Sequence, residues 1–276
     1  MDTAVSTPDL RRDHVVCLHS SLSSSRQWQT LAQRLEGEFN LVTPDLLGYG
    51  EAPSWPADGD CSLEREIERL ADIVAELEGP IHLVGHSYGG AVAIRATRAF
   101  GRRISSLALY EPVIFPILFD ESSDPVATLE MIRLIEGFKR DYDRGELLQA
   151  ARGFVDFWSG AGTWDTIPFD KQLRLAARTP AVLANFEAIM AQQNPLSTLA
   201  PSGVATLYLC GEDSPACARA IGEQFARQVP DAMRQRFRAM GHMGPITHAE
   251  TVNARIERFI RHRSAQQYRQ DYAWAA

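Results

Sequence analysis

Short apolar runs alternate with amphipathic helical segments along most of this 276-residue chain. Such runs are typical of strands that are buried on both faces of a sheet. The alternation therefore predicts an α/β fold, in which about six mostly parallel strands are flanked by helices. The predicted strands cover residues 14–18, 39–43, 81–84, 107–110, 204–210 and 233–239.

The alternation stops in the middle of the chain, where residues 115–200 carry helical patterns and no convincing strand. We therefore expect two parts. Residues 1–114 and 201–276 build the sheet-centred core, and residues 115–200 form an all-helical insertion. The polar tail that begins at Arg263 is expected to pack loosely.

The composition limits the partners that this chain can have. Its formal net charge is −7, so phosphate backbones would repel it and we expect no nucleic-acid partner. No apolar run approaches the ~18–20 residues of a membrane span. Residues 1–9 lack the basic and apolar regions of a signal peptide. We expect a cytoplasmic protein with a small-molecule substrate, and the pattern leaves the oligomeric state open.

The predicted third strand runs directly into the segment 85–90, which reads Gly-His-Ser-Tyr-Gly-Gly and is followed by a predicted helix. A G-x-S-x-G motif between a strand and a helix is typical of a nucleophilic serine, here Ser87. Side chains two positions from that serine would collide with neighbouring backbone, and the glycines at 85 and 89 avoid this. The helix N-terminus favours a negative charge developing beside Ser87.

Common cofactor and metal motifs are missing from the sequence. It contains no H-E-x-x-H, no G-x-x-x-x-G-K-[ST] and no G-x-G-x-x-G after the first predicted strand. We therefore expect neither a metal nor a cofactor, and the chemistry is expected to come from side chains.

The order of elements and the Ser87 turn resemble the α/β-hydrolase superfamily. The resemblance covers about residues 15–260 and also rests on His19 after the first strand, on Pro-Asp-Leu and two glycines within 44–50, and on Gly-His at 241–242. It implies a serine hydrolase of the esterase type, and it implies that the helical insertion is a lid. It also implies His242 as the base that activates Ser87.

The chain departs from that family at two places. Ser20 follows His19, where most members carry glycine. Only 13 residues precede the first predicted strand, so we expect the two leading strands of the family to be absent or vestigial and about six strands to remain. The resemblance implies an oxyanion hole built from the backbone N–H groups of Tyr88 and Ser21, and the side chain of Ser20 lies next to it.

The acid that would orient His242 has two candidates. Members of the family usually supply it from the loop after the strand that ends here near residue 210, but Ser214 occupies the usual aspartate position and Asp213 lies one residue early. Glu111 directly follows the fourth predicted strand, and some α/β hydrolases take their acid from that strand end. Both candidates remain open on the sequence.

The expected activity is hydrolysis of a small, largely apolar ester through an acyl-enzyme, because the insertion is rich in aromatic residues that can line an apolar pocket. A C–C bond hydrolase or a cofactor-free, haloperoxidase-like perhydrolase would use the same three groups. A non-catalytic small-molecule binder on this scaffold is a further alternative, which the presence of Ser87 and His242 disfavours.

Overall fold

The computed structural model describes residues 12–56, 59–197 and 199–275. Residues 1–9, on which the expectation of no signal peptide rests, lie outside the described residues.

Six strands form one sheet in the order β2-β1-β3-β4-β5-β6, and every neighbouring pair runs parallel. The predicted α/β fold with about six strands is thereby confirmed. The strands are β1 His14–Leu18, β2 Asn40–Val42, β3 Ile81–His86, β4 Ile104–Tyr110, β5 Ala205–Gly211 and β6 Met233–Phe237.

Helices connect the strands and cover the sheet. In chain order they are α1 Gln29–Leu35, α2 Leu63–Ala75, α3 Tyr88–Phe100, α4 Pro125–Asp143, α5 Leu147–Ser159, α6 Phe169–Ala176, α7 Thr179–Met190, α8 Leu199–Ser202, α9 Ala216–Gln228, α10 Gly244–Thr247 and α11 Ala249–Ala275.

Both faces of the four central strands β1, β3, β4 and β5 are buried, which explains their apolar runs, whereas the edge strands β2 and β6 are partly exposed. In β1, Val15 and Cys17 belong to the apolar cluster that includes residues of α1 and α11, whereas Val16 and Leu18 belong to the cluster that includes residues of α2 and α3. Burying both faces removes a large apolar area from water, and each Å² of that area stabilises the fold by ~25 cal/mol. The crossovers also bring the carboxyl ends of all six strands to one edge, where the loops that could carry chemistry meet.

The helices α4 to α7 and the short 3-10 turns between them occupy the middle of the chain, and the described residues of segment 115–197 contain no strand. Several buried aromatic side chains of this segment, including Phe115, Phe138 and Phe154, pack around Phe186 of α7. The segment also adds its buried residues to the same apolar cluster as α2 and α3.

The expectation of a loose tail is wrong for the start of the tail, because α11 continues through Arg263 to Ala275 and Ser264 on this helix is buried. Ser264 on this helix is 7% exposed, and its hydroxyl donates a 2.5 Å hydrogen bond to the carboxylate of Asp13. The same carboxylate oxygen lies 3.3 Å from Nε2 of His82 on β3. The helix is therefore anchored to the residue that precedes the first strand.

Among the described residues, we find no helix whose length and apolar character would suffice to cross a bilayer.

Candidate active site

Ser87 lies at the sharp turn between β3 and α3, at the edge where the parallel strands end. Its backbone has φ 55° and ψ −117°, a conformation that L-residues rarely adopt. The turn is held because the Ser87 N–H donates to the carbonyl of Tyr110, and the Ser87 carbonyl accepts from the N–H of Val113. A strained residue that its surroundings hold in place in this way is a common feature of functional sites.

Two glycines make this turn possible, as the sequence predicts. A Cβ atom at position 85 would lie 2.6 Å from the carbonyl oxygen of Gly89, and one at position 89 would lie 2.4 Å from that of Leu18. Both contacts are with backbone, which cannot swing aside. The absence of side chains therefore lets α3 approach the end of β1 and brings Ser87 next to the loop that follows β1.

Ser87, His242 and Glu111 form a continuous chain of hydrogen bonds. The Ser87 hydroxyl lies 2.9 Å from Nε2 of His242, and Nδ1 of His242 lies 2.8 Å from a carboxylate oxygen of Glu111. A carboxylate accepts only, so Nδ1 carries the proton and Nε2 is free to accept from the serine. All three residues are at most 6% exposed, so little water competes for these bonds.

Glu111 lies in the turn directly after β4 and also has a positive φ, of 41°. Its Oε1 accepts hydrogen bonds from the N–H of Gly211 at 2.7 Å and from the hydroxyl of Ser214 at 2.6 Å, while Oε2 faces His242. Donors of this kind compensate a buried carboxylate for its lost hydration. Ser214, which stands where the family usually has aspartate, is therefore one of the groups that stabilise the Glu111 carboxylate.

Asp213, the other candidate acid, points elsewhere. Its side chain is exposed, and its backbone N–H donates to the carbonyl of Met240. Of the two candidates left open by the sequence, the structure brings Glu111 into contact with His242.

The predicted oxyanion donors lie around Ser87. Tyr88 is the first residue of α3, where backbone N–H groups lack partners within the helix. Ser21 lines a cavity together with Ser87, and its hydroxyl donates to Oδ1 of Asn185 on α7 at 2.8 Å. The phenol of Tyr49 donates to the same amide oxygen at 2.5 Å. The loop after β1 is thus attached to the helical insertion.

A cavity of about 760 Å³ opens above Ser87 and His242. One part of its apolar wall comes from α5, α6 and the turn between them: Phe154, Val155, Trp158, Ile167 and Leu175. The other part comes from the segment 243–249 and from Leu22. Its polar wall is the serine-rich segment 20–24 after β1. The exposed side chains of Arg26 and Lys171 also line it, and none of its lining residues is acidic.

Among the lining residues, Trp158 stacks on His242. Its ring centroid lies 4.0 Å from that of His242, with 33° between the ring planes. The indole therefore covers one face of the imidazole and shields its hydrogen bonds from water. Sequence patterns assign this tryptophan only to the aromatic set of the insertion, because helical spacing does not tell which ring faces the serine.

Two buried titratable groups lie behind the turn. Burial raises the pKa of Glu66 on α2 to about 7, although the Leu47 N–H and the Tyr88 hydroxyl donate to its carboxylate. Burial lowers the pKa of His19 to about 4, and its neutral ring accepts from the Leu46 N–H through Nε2. Both groups fix the loops around the site and do not contact Ser87 in the hydrogen bonds described.

In the described part of the chain, no cluster of three or more His, Cys, Asp or Glu side chains is suited to hold a metal ion.

A parallel sheet with a serine in a glycine-flanked turn after its third strand defines the class of the protein, that of the α/β hydrolases. The family model described as "Alpha/beta hydrolase family" matches residues 15–255, and the chain belongs to this family.

The relatives support hydrolase activity. The chain is 34% identical over 101 residues to Lipase LipV of Mycobacterium tuberculosis, a match that covers 36% of this chain and only 37% of the lipase. It is 28% identical over 271 residues to a Bacillus subtilis protein named as a 2-succinyl-6-hydroxy-2,4-cyclohexadiene-1-carboxylate synthase, with 89% of each chain covered.

Solved structures share the fold. An α/β hydrolase from a Medee basin deep-sea metagenome superposes with a TM-score of 0.75 at 15% identity, covering 92% of this chain and 91% of the other. An esterase from Exiguobacterium antarcticum superposes with a TM-score of 0.68 at 18% identity, covering 90% and 92%.

Proposed function

We propose that the protein hydrolyses a small, largely apolar ester through an acyl-enzyme, with Ser87 as nucleophile, His242 as general base and Glu111 as the acid that orients it. The observation that supports this most is the unbroken, buried hydrogen-bond chain from the Ser87 hydroxyl to the Glu111 carboxylate. A serine hydroxyl is a weak nucleophile, and this arrangement supplies the base it needs.

In the proposed reaction, the Ser87 oxygen attacks the ester carbonyl while its proton moves to Nε2 of His242. The Glu111 carboxylate stays ionised and stabilises the imidazolium through Nδ1. The backbone N–H groups of Tyr88 and Ser21 would bind the negative oxygen of the tetrahedral intermediate. His242 then protonates the departing alcohol, and a water molecule activated by the same base releases the acid.

Substrate preference follows from the wall of the cavity. We assign residues 115–200 as a lid over the core, since this segment supplies the aromatic and aliphatic side chains that face Ser87, Phe154 and Trp158 among them. Each methylene buried there adds ~0.8 kcal/mol of binding free energy. Esters with a short to medium alkyl or aryl group are therefore expected to react better than peptides.

The test combines a fluorophosphonate probe with a panel of p-nitrophenyl esters of increasing acyl length. Wild-type protein should be labelled and should hydrolyse the esters, and Ser87→Ala should abolish both. Ser105→Ala, at the opposite end of β4 from the site, is the matched control and should behave as wild type. A folded wild-type protein that is neither labelled nor active would refute the proposal and favour a small-molecule binder.

A second candidate is chemistry on a carbocyclic carboxylate, as the name of the B. subtilis relative indicates for that protein. The cationic side chains of Arg26 and Lys171, together with the lack of an acidic lining residue, favour an anionic ligand in this cavity. Thermal stabilisation by the carboxylate named for the relative, lost in Arg26→Ala, would support this candidate. If the carboxylate does not stabilise the protein and the esters are hydrolysed, the esterase proposal is favoured.

A further inference from the structure

His86, the unused residue of the Gly-His-Ser turn, is completely buried between two loops of the site. Burial lowers the pKa of its imidazole well below the ordinary value, and the neighbouring His242 lowers it further. The ring is therefore neutral, with one nitrogen that donates and one that accepts a hydrogen bond.

The partners of His86 determine which nitrogen carries the proton. Its Nε2 lies 2.8 Å from the backbone carbonyl oxygen of His242, which can only accept, so Nε2 is protonated. Its Nδ1 must then accept, and the amide nitrogen of Gln27 lies 3.1 Å away. Gln27 belongs to the 3-10 turn Ser25–Trp28 that follows the serine-rich segment.

The same reasoning determines the orientation of the Gln27 amide. Because its NH₂ group faces His86, its oxygen faces Ser20, whose N–H and hydroxyl donate to it at 3.1 and 3.0 Å. Each link of the path from Ser20 through Gln27 and His86 to the His242 carbonyl thus pairs a donor with an acceptor. We call this path the bridge.

We propose that Gln27 and His86 are positioning residues, which set the distance between the oxyanion loop at Ser21 and the base loop at His242. This inference rests on the proposed function. Ser21 and His242 are 221 residues apart in sequence and line one cavity with Ser87, so the spacing of their loops determines whether donor and base reach one carbonyl group together. The bridge joins them directly.

The bridge also gives a reason for the serine at position 20, where most of the family carries glycine. The Ser20 hydroxyl supplies a second donor to the Gln27 oxygen, in addition to the backbone N–H that a glycine would also offer. In this chain the oxyanion loop is therefore held by its side chain as well as by its backbone.

The first test is Gln27→Leu, which keeps the volume of the side chain and removes both halves of its hydrogen bonding. Small misplacements of reacting groups cost up to about 100-fold in rate, so kcat should fall about 10- to 100-fold while KM stays within about threefold. Gln29→Leu, two residues away and exposed, is the matched control and should change neither. Rates are normalised to active sites titrated with the fluorophosphonate.

Two further variants separate positioning from general damage to the fold. His86→Gln keeps one donor and one acceptor and should retain far more activity than His86→Leu. Ser20→Ala should lower kcat in the wild-type background and have no further effect in Gln27→Leu, because the hydroxyl acts through Gln27.

Several outcomes would overturn the proposal. The first is a kcat for Gln27→Leu within twofold of wild type. The second is a raised KM with kcat intact, which would make Gln27 a substrate contact. The third is that the losses in kcat caused by Ser20→Ala and Gln27→Leu add up in the double variant. If Gln27→Leu does not fold, His86→Gln and Ser20→Ala carry the kinetic test.

A spectroscopic readout keeps the proposal testable even if the esterase assignment fails. Nitrogen NMR of labelled protein should show His86 protonated at Nε2 and bare at Nδ1. The opposite tautomer would refute the bridge. If the fluorophosphonate does not label the wild-type protein at Ser87, only the proposed function is refuted.

Discussion

Replacing Glu66 by glutamine should stabilise the protein at alkaline pH and have a much smaller effect at acidic pH. Glu66 is fully buried on α2, where burial raises the pKa of its carboxyl from 4.5 to about 7. Between these two values the folded protein keeps a proton that the unfolded chain has lost. The free energy of unfolding therefore falls as pH rises through this window.

The size of the effect follows from the two pKa values. A shift of one pKa unit corresponds to ~1.4 kcal/mol, so ionising Glu66 costs the folded state about 3 kcal/mol in total. About 2 kcal/mol of that cost falls between pH 5.5 and pH 8. Glutamine has the same shape and can accept from the Leu47 N–H and the Tyr88 hydroxyl, but it never ionises.

The assay is urea unfolding of wild type and Glu66→Gln at pH 5.5 and pH 8. Only the change in the difference between the two proteins is compared, because titrating histidines act equally on both. The variant should gain about 2 kcal/mol relative to wild type at the higher pH. Asp72→Asn, an exposed carboxylate on the same helix, is the control and should show no such gain. A difference that does not change with pH would refute the argument from burial.

Three other predictions concern the site and its loops. Glu111→Gln should lower kcat about 10³- to 10⁴-fold on p-nitrophenyl esters, whereas Asp213→Asn should change it less than twofold, and the reverse order would reassign the acid. Gly89→Ala should lower the free energy of unfolding by about 2 kcal/mol or more, because the added Cβ would lie 2.4 Å from a backbone oxygen; urea unfolding measures this. His19, with a pKa of about 4 in the folded protein, should make stability fall as pH drops from 6.5 towards 4, since unfolding then takes up a proton. Its imidazole proton NMR signals should remain those of a neutral ring at pH 5.5, and a titration midpoint near 6.5 would contradict the prediction.

The fold could be predicted because its four central strands are buried on both faces, which leaves a strong local pattern. The start of β4 was harder to predict, since the strand begins at Ile104 and the sequence indicated 107–110. Ser106 lies inside that strand and is fully buried, because its hydroxyl pairs with Nδ1 of His82 at 2.7 Å. A partner on another strand makes a polar residue fit the core, and no local pattern reveals such a partner.

In the candidate site, too, one residue could be predicted from the local sequence and another could not. Ser87 can be recognised from six consecutive residues, whereas the preference for Glu111 depends on contacts with Gly211 and Ser214, which are 100 and 103 residues away. Ser214 at the usual aspartate position was a signal that this loop departs from the family pattern, although Asp213 kept it a candidate source of the acid. What that loop supplies instead, a hydroxyl and an N–H for another residue's carboxylate, depends on how β4 and β5 pair.

The anchoring of α11 to Asp13 has a consequence for the order in which the chain matures on the ribosome. The Ser264 hydroxyl that satisfies the Asp13 carboxylate is 251 residues further along the chain. At a synthesis rate of about 5–20 residues per second, Ser264 is synthesised more than ten seconds after Asp13, and until then the Asp13 carboxylate lacks this hydrogen bond. A nascent chain released or stalled before α11 would therefore contain all six strands while the Asp13 carboxylate beside β1 still lacks that hydrogen bond, so α11 is the element that completes the surroundings of β1.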